Sequence, residues 1–155
     1  MAAAAGSGTA IVRTAWLYAA RGRNFLQTML RAMRERQEVR VVCDQVGTPT
    51  AARPLAEVLW ALAAMPEVRG TLHWTDAGVA SWFDFAVAIQ EEALALGLLP
   101  RAVPVRPIRT GEYPAAARRP SYSVLDTTDS WTSLGRTPSH WRVRLRETLA
   151  EVARD

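Results

Sequence analysis

The chain has 155 residues, of which 49% are hydrophobic and 22% charged, with a formal net charge of +4. These totals fit one globular domain and exclude a chain too short to bury a core, since this length buries roughly 70% of its unfolded surface. All basic residues are arginine, but acids are interspersed among them, so no basic stripe indicates nucleic-acid binding. No apolar run approaches the about 20 residues of a membrane span.

The cysteine content indicates the cellular compartment, and the first eight residues indicate where the domain begins. The single cysteine, Cys43, excludes an internal disulfide and a multi-cysteine metal site, and a reducing cytoplasm fits it. Residues 1–8 are rich in alanine, glycine and serine and lack a basic n-region. We interpret them as a flexible leader, and residues 9–155 as a single α/β domain.

Strand-like and helix-like patterns alternate along the chain. Continuous apolar runs predict strands covered on both faces, as in a parallel sheet, and apolar residues at helical spacing predict amphipathic helices. Strands or extended segments are predicted over residues 9–18, 39–43, 70–74 and 101–109, and helices over 25–36, 53–64, 82–96, 126–134 and 139–153. A helix separates the first two strands, so we expect a right-handed βαβ crossover with these strands parallel.

Two helix starts carry capping signals. Asn24 precedes the first helix and is a favourable N-cap residue. Ser81 and Asp84 have the spacing of a capping box at the start of the third helix. Asp126 is a candidate cap for the fourth.

The loop of residues 44–50 (DQVGTPT) follows one predicted strand and precedes a helix. Ligands of open α/β sheets bind at the carboxyl ends of the strands. The polar residues of this loop either contact a polar ligand or satisfy the backbone of the turn. They are Asp44, Gln45, Thr48 and Thr50.

Three further positions are candidate ligand contacts. The long polar loop of residues 110–123 carries Arg118 and Arg119, which are either a solvated pair or fork-shaped donors to phosphate. Tyr113 in the same loop is either a packing residue or a ligand contact. Trp16, near the carboxyl end of the first strand, either belongs to the core or forms the floor of a sugar or base pocket.

The residues themselves indicate neither a metal site nor a catalytic group. His73 and His140 lie far apart in sequence, with no cluster at metal-ligand spacing. Cys43 ends a buried strand and is more typical of a core residue. No nucleophile-elbow pattern is present, and the glycines of residues 6–8 precede the first strand, where they cannot bind a dinucleotide.

Motifs spread along the chain resemble one family. Matching runs occur from the first predicted strand to the last helix, in the family's order and spacing. They are residues 13–18 (RTAWLY), 24–25 (NF) with 28–30 (TML), 44–45 (DQ) with 47 and 49–50 (PT), 70 with 73, 81–82 (SW) with 84–86 (DFA), 112–114 (EYP), 117–120 (ARRP), 123 with 125–126 (LD), and 140–141 (HW). The chain resembles the C-terminal part of the dTDP-4-dehydrorhamnose reductases, which are extended short-chain dehydrogenases.

The resemblance implies a fold and a ligand. The fold is the C-terminal half of a Rossmann-like α/β fold, with a small, mostly parallel sheet flanked by helices. The ligand is a dTDP-sugar, bound weakly, with Trp16 against the sugar nucleotide and Arg119 near its nucleotide end. The chain departs from the family pattern at Ala19 and Tyr122. The expected substrate-binding residues are Trp16, Asp44, Gln45, Thr48, Tyr113, Arg118 and Arg119.

The resemblance also implies what this chain does not supply. The family binds NADPH and catalyses with a Tyr-x-x-x-Lys helix in its N-terminal half, and this chain contains no lysine. We therefore expect it to be inactive alone, without a bound cofactor, metal or catalytic residue. The alternative is a non-catalytic interaction or regulatory module, or a fragment without a ligand.

Truncation implies an exposed strand edge. We expect self-association through residues 11–17 into a homo-oligomer, or completion by a complementary polypeptide that carries the N-terminal half. Neither nucleic acid nor a membrane is an expected partner.

Overall fold

The computed structural model describes residues 9–114, 117 and 119–154. The leader predicted over residues 1–8 and the candidate Arg118 lie outside the described residues. The strands are β1 (Ala10–Arg13), β2 (Leu17–Tyr18), β3 (Val39–Val42), β4 (Val46–Gly47), β5 (Thr50–Ala51), β6 (Gly70–His73), β7 (Ala80–Ser81) and β8 (Val105–Ile108). The helices are α1 (Phe25–Glu35), α2 (Ala52–Ala63), α3 (Trp82–Ala95), α4 (Thr128–Ser133) and α5 (Trp141–Val152), with a 3₁₀ turn at Thr110–Glu112.

The strands pair in four two-stranded sheets. Three pairs are parallel, β1 with β6, β2 with β5, and β3 with β8, and one, β4 with β7, is antiparallel. The expected α/β fold with small, mostly parallel sheets flanked by helices is confirmed. The first two predicted strands do not pair with each other, because β1 pairs with β6 while β3 pairs with β8.

The first predicted strand, residues 9–18, is interrupted. Trp16 has a φ of +47°, a conformation that strains any residue other than glycine. This kink moves the chain from β6, which pairs with β1, to β5, which pairs with β2. The Thr50 N–H donates to the Trp16 carbonyl at 3.2 Å and holds the turn.

The predicted caps at two helix starts are confirmed. Asn24 Oδ1 accepts from the Gln27 N–H at 3.1 Å at the start of α1. Ser81 and Asp84 form a complete capping box at the start of α3. At α4 the N-cap position falls on Thr127 rather than on Asp126, although Asp126 Oδ1 accepts from the Thr128 N–H at 3.1 Å.

Buried apolar residues form two clusters. The larger one packs α1, α3 and α5 against β3 and includes Leu26, Phe85 and Leu145, none of which is exposed. The smaller one packs α2 and α4 against β6 and includes Leu55 and Leu72. None of the helices in the described ranges is long and apolar enough to cross a membrane.

The open edge expected over residues 11–17 is shorter than that. Leu17 belongs to β2 and pairs with Thr50. Within the described part of the chain, β1 pairs on one side only, with β6. Of the edge expected over residues 11–17, the part that stays unpaired within the described residues therefore belongs to β1, Ala10–Arg13.

Asp76 carries a buried carboxyl group. It is 2% exposed, and its Oδ2 accepts from the Ala51 N–H at 2.8 Å. Its Oδ1 is buried without a hydrogen-bond partner among the described residues. Burial raises the pKa of Asp76 to about 6, against the opposing effects of the Ala51 hydrogen bond and Arg144, and with a small further rise from Glu147.

The Asp76→Asn variant should not lose folding free energy as the pH rises, whereas the wild type should. An aspartate in the unfolded chain ionises near pH 4, so the wild type loses folding free energy as the pH rises through about 4 to 6. The loss reaches at most about 3 kcal/mol by neutral pH, at 1.36 kcal/mol per pKa unit. Urea unfolding from pH 4 to 8 should show the variant gaining stability relative to the wild type over this window. If the free energy of unfolding changed with pH in the same way for both proteins, the raised pKa of Asp76 would be contradicted.

Candidate functional site

Two adjoining cavities are lined by residues of β3 and of the segments that follow β1, β3 and β8. The larger has a volume of about 260 Å³ and the smaller about 150 Å³. Gln45, Trp82 and Arg119 line both. The larger is also lined by Phe25, Thr28, Met29, Arg40, Val41, Val42, Thr110, Tyr113 and Ala117, and the smaller by Ala15, Trp16, Pro120 and Ser123.

An aromatic stack forms one wall of the cavities. The Trp16 and Trp82 rings lie parallel, with centroids 3.5 Å apart and an interplanar angle of 5°. Phe25 packs against Trp82 at 4.7 Å. Gly47 lies so close to Trp16 that a Cβ there would be 2.5 Å from Trp16 Cε2. The stack thus holds Trp16 in its strained conformation, with a glycine making room for the ring.

The first end of the loop of residues 110–123 is fixed by Asp44. Its Oδ1 accepts from the Thr110 N–H at 2.9 Å and from the Thr110 hydroxyl at 2.7 Å. The hydroxyl bond is the main cause that lowers the pKa of Asp44. Gln45 Nε2 donates to Thr110 Oγ1 at 3.1 Å. Two consecutive side chains therefore bind one threonine.

The other end of the loop is fixed by the backbone of the next residue, Val46. The Val46 N–H donates to the Ser121 carbonyl at 2.8 Å, and the Val46 carbonyl accepts from the Ser123 N–H at 2.8 Å. The Ser123 hydroxyl also donates to the Val46 carbonyl at 3.1 Å. Residues 44–46, which we call the clamp segment, thus tie down both ends of the loop.

Between these ends the loop brings two predicted residues to the cavities. Tyr113 is exposed and lines the larger cavity, and Arg119 lines both. The Glu112 carboxylate accepts from Arg40, which lines the larger cavity, at 2.9 Å. Of the predicted residues, Trp16, Gln45, Tyr113 and Arg119 therefore come together.

Three other polar residues of the predicted loop lie elsewhere. Asp44, Thr48 and Thr50 line neither cavity. The Thr48 hydroxyl, which is buried, donates to the Gly78 carbonyl at 3.0 Å, and the Thr50 hydroxyl donates to the Thr48 carbonyl at 3.3 Å. Both hydroxyls thus bind main-chain carbonyls, one within the turn and one in another loop.

Sequence reasoning missed Trp82 and Phe25 as cavity residues. Both lie in predicted helices, and both pack against the larger apolar cluster. The available signal was position, since each is the first residue of its helix. A first-turn side chain at the carboxyl edge of the strands can pack and line a cavity at once.

The side chains and turns of the described residues decide whether a metal ion or a dinucleotide could bind. Among the described residues, no group of three histidine, cysteine, aspartate or glutamate side chains could hold a metal ion. In the same part of the chain, each connection from a strand to a helix contains at most one glycine. The described residues therefore do not fit the glycine-rich turn that binds a dinucleotide.

The fold and these cavities define a Rossmann-like α/β domain of the short-chain dehydrogenase type. The RmlD substrate binding domain model matches residues 1–154. The chain belongs to this family and is a substrate-binding domain like that of dTDP-4-dehydrorhamnose reductases.

Individual relatives agree with this assignment. Spore coat polysaccharide biosynthesis protein SpsK of Bacillus subtilis is 41% identical over 91% of this chain and 47% of its own length. The dTDP-4-dehydrorhamnose reductase of Aggregatibacter actinomycetemcomitans is 39% identical over 90% of this chain and 49% of its own length. The reductase of Bacillus anthracis, solved with NADP, superposes with a TM-score of 0.83 at 36% identity, over 92% of this chain and 48% of that one. The chain spans about half the length of the relatives it matches.

The Gly47→Ala variant should disturb the aromatic stack. Its Cβ would lie 2.5 Å from Trp16 Cε2 and 2.8 Å from Ser123 Oγ, so the indole must move, at a cost of about 1–3 kcal/mol in folding free energy. Tryptophan emission and urea unfolding measure both effects. Gly111→Ala is the matched control, because no atom lies within 4 Å of a Cβ there. Equal stability of the two variants would contradict the close packing at Gly47.

Proposed function

We propose that this chain is the dTDP-sugar-binding half of a dTDP-4-dehydrorhamnose reductase and that it does not catalyse the reduction alone. The observation that carries the proposal is the convergence of Trp16, Gln45 and Arg119 on two adjoining cavities. The relatives that bear the reductase name support the ligand class.

The two cavities suit the two ends of a nucleotide sugar. The larger one has apolar walls from Phe25, Met29 and Val42 and a polar edge, which suits a planar base. The smaller one has Trp16 on its wall, and aromatic rings bind sugar faces well. Arg119 lines both cavities, where its guanidinium can bind the connecting diphosphate through paired hydrogen bonds.

Catalysis requires groups that this chain does not contain. NADPH supplies the hydride in this chemistry, and the Bacillus anthracis reductase was solved with NADP. A tyrosine whose pKa is lowered by a lysine protonates the carbonyl oxygen in the family, and this sequence has no lysine. The proposed contribution of the described residues is therefore to bind and orient the nucleotide sugar. The proposed compartment is the cytoplasm, which the lone cysteine fits.

Ligand binding tests the proposal directly. Thermal unfolding of the chain should shift upward with millimolar dTDP or dTDP-rhamnose, because a ligand that binds the folded state stabilises it. Arg119→Ala should remove most of this shift. Arg136→Ala, at an exposed arginine that lines neither cavity, is the control. NADPH should cause no shift.

The opposite results separate the alternatives. No shift with either dTDP ligand would favour a non-binding interaction module. A clear shift with NADPH would overturn the assignment of cofactor binding to residues outside this sequence.

The open edge of β1 supports a proposal about partners. A complementary N-terminal-half polypeptide, or failing that a second copy, would pair with Ala10–Arg13, since an unpaired strand edge offers hydrogen-bonding groups to another strand. Light scattering of the isolated chain should reveal dimers or larger species. Val12→Pro removes an N–H from this strand and should reduce association, whereas a monodisperse wild-type monomer would refute the proposal.

A further inference from the structure

Thr110 joins two side chains of the clamp segment in a directional hydrogen-bond network. Its hydroxyl is 2.7 Å from Asp44 Oδ1 and 3.1 Å from Gln45 Nε2. An ionised carboxylate can only accept hydrogen bonds, so the hydroxyl proton must point to Asp44. The hydroxyl oxygen is then left to accept from Gln45.

This network decides which way the Gln45 amide faces. The oxygen and nitrogen of an amide are assigned from their hydrogen-bond partners. Here the partner is the Thr110 hydroxyl, which can only accept because its proton is already donated to Asp44. The NH₂ group must therefore face Thr110, and the carbonyl Oε1 is turned away from it. The Thr110 N–H bonds to both Asp44 oxygens, at 2.9 and 3.1 Å, which holds the carboxylate in the required position.

Gln45 forms part of the wall of both cavities. It is 7% exposed. Its Oε1 has no hydrogen-bond partner among the residues that the structure describes. This oxygen is also not one of the fully buried side-chain atoms that lack a partner. A nearly buried amide thus presents a single unpaired acceptor next to the apolar walls of the larger cavity.

We propose that Asp44 and Thr110 are positioning residues that lock the Gln45 carbonyl toward the cavity, and that this carbonyl selects bases with a ring N–H. Thymine and uracil carry such a donor at N3, whereas N3 of cytosine is an acceptor. This inference rests on the proposed function, because it assumes that the larger cavity takes the base. A buried acceptor without a donor loses binding free energy, which is how such sites reject an analogue.

The sharpest test compares the affinities for dTDP and dCDP by calorimetry. Wild type should prefer dTDP at least about tenfold, with dUDP close to dTDP, the size expected for one buried polar contact. Thr110→Val removes the hydroxyl but keeps the N–H that binds Asp44. The Gln45 amide can then rotate and offer its NH₂ to the N3 of cytosine, so the preference should fall to threefold or less. Thr110→Ser retains the hydroxyl and should restore the wild-type ratio.

The outcomes separate this inference from the proposed function. Melting temperatures of the three proteins control for folding, and a merely structural role would weaken both ligands equally without changing their ratio. If wild type binds dTDP but Thr110→Val keeps the full preference, the inference fails and the proposed function stands. If wild type binds no nucleotide diphosphate, both fail.

Discussion

The hydrogen bonding of residues 44–46 is the constraint on which the site depends. Asp44 and Gln45 bind Thr110, and Val46 binds Ser121 and Ser123. These bonds hold both ends of the loop of residues 110–123, and the Arg40–Glu112 ion pair adds to the first end. The carboxylate bonds are charge-assisted and short, which makes them stronger than neutral ones. One three-residue segment therefore fixes the loop that supplies Tyr113 and Arg119.

A second constraint is the strained backbone at Trp16. A positive φ costs a non-glycine residue about 1–2 kcal/mol, and the surrounding structure must offset that. The Trp82 stack, the hydrogen bond from Thr50 and the space beside Gly47 do so. Strain of this kind is commonly found at ligand sites. Here the kink both separates β1 from β2 and turns the Trp16 ring toward the smaller cavity.

Local features of the fold could be predicted from the sequence. The caps at Asn24 and Ser81 and the apolar stripes of the helices act over a few residues, so their patterns are visible in a short window. The family motifs also predicted the class of domain, which the family model confirms. The interruption at Trp16 was not predictable, because its cause is packing against Trp82, a residue distant in sequence.

Pairing and site geometry needed the structure. Asp44 and Thr110 are 66 residues apart, and no sequence pattern marks them as partners. The same holds for β3 and β8, whose pairing no pattern in the sequence predicted. In the loop of residues 44–50, residue type alone could not separate Gln45, which lines the cavities, from Thr48, which is buried in the turn.

Hydrogen–deuterium exchange with and without dTDP is the most direct test of the central claim, that residues 44–46 and the loop they hold form the nucleotide site. Saturating dTDP should slow exchange at the amides of Val46, Thr110 and Ser123, because these bonds open when the loop moves. Exchange should be unchanged along the groove between α2 and α5, which is lined by Arg53, Glu57 and Arg144. Protection confined to that groove, with none at the loop, would contradict the account.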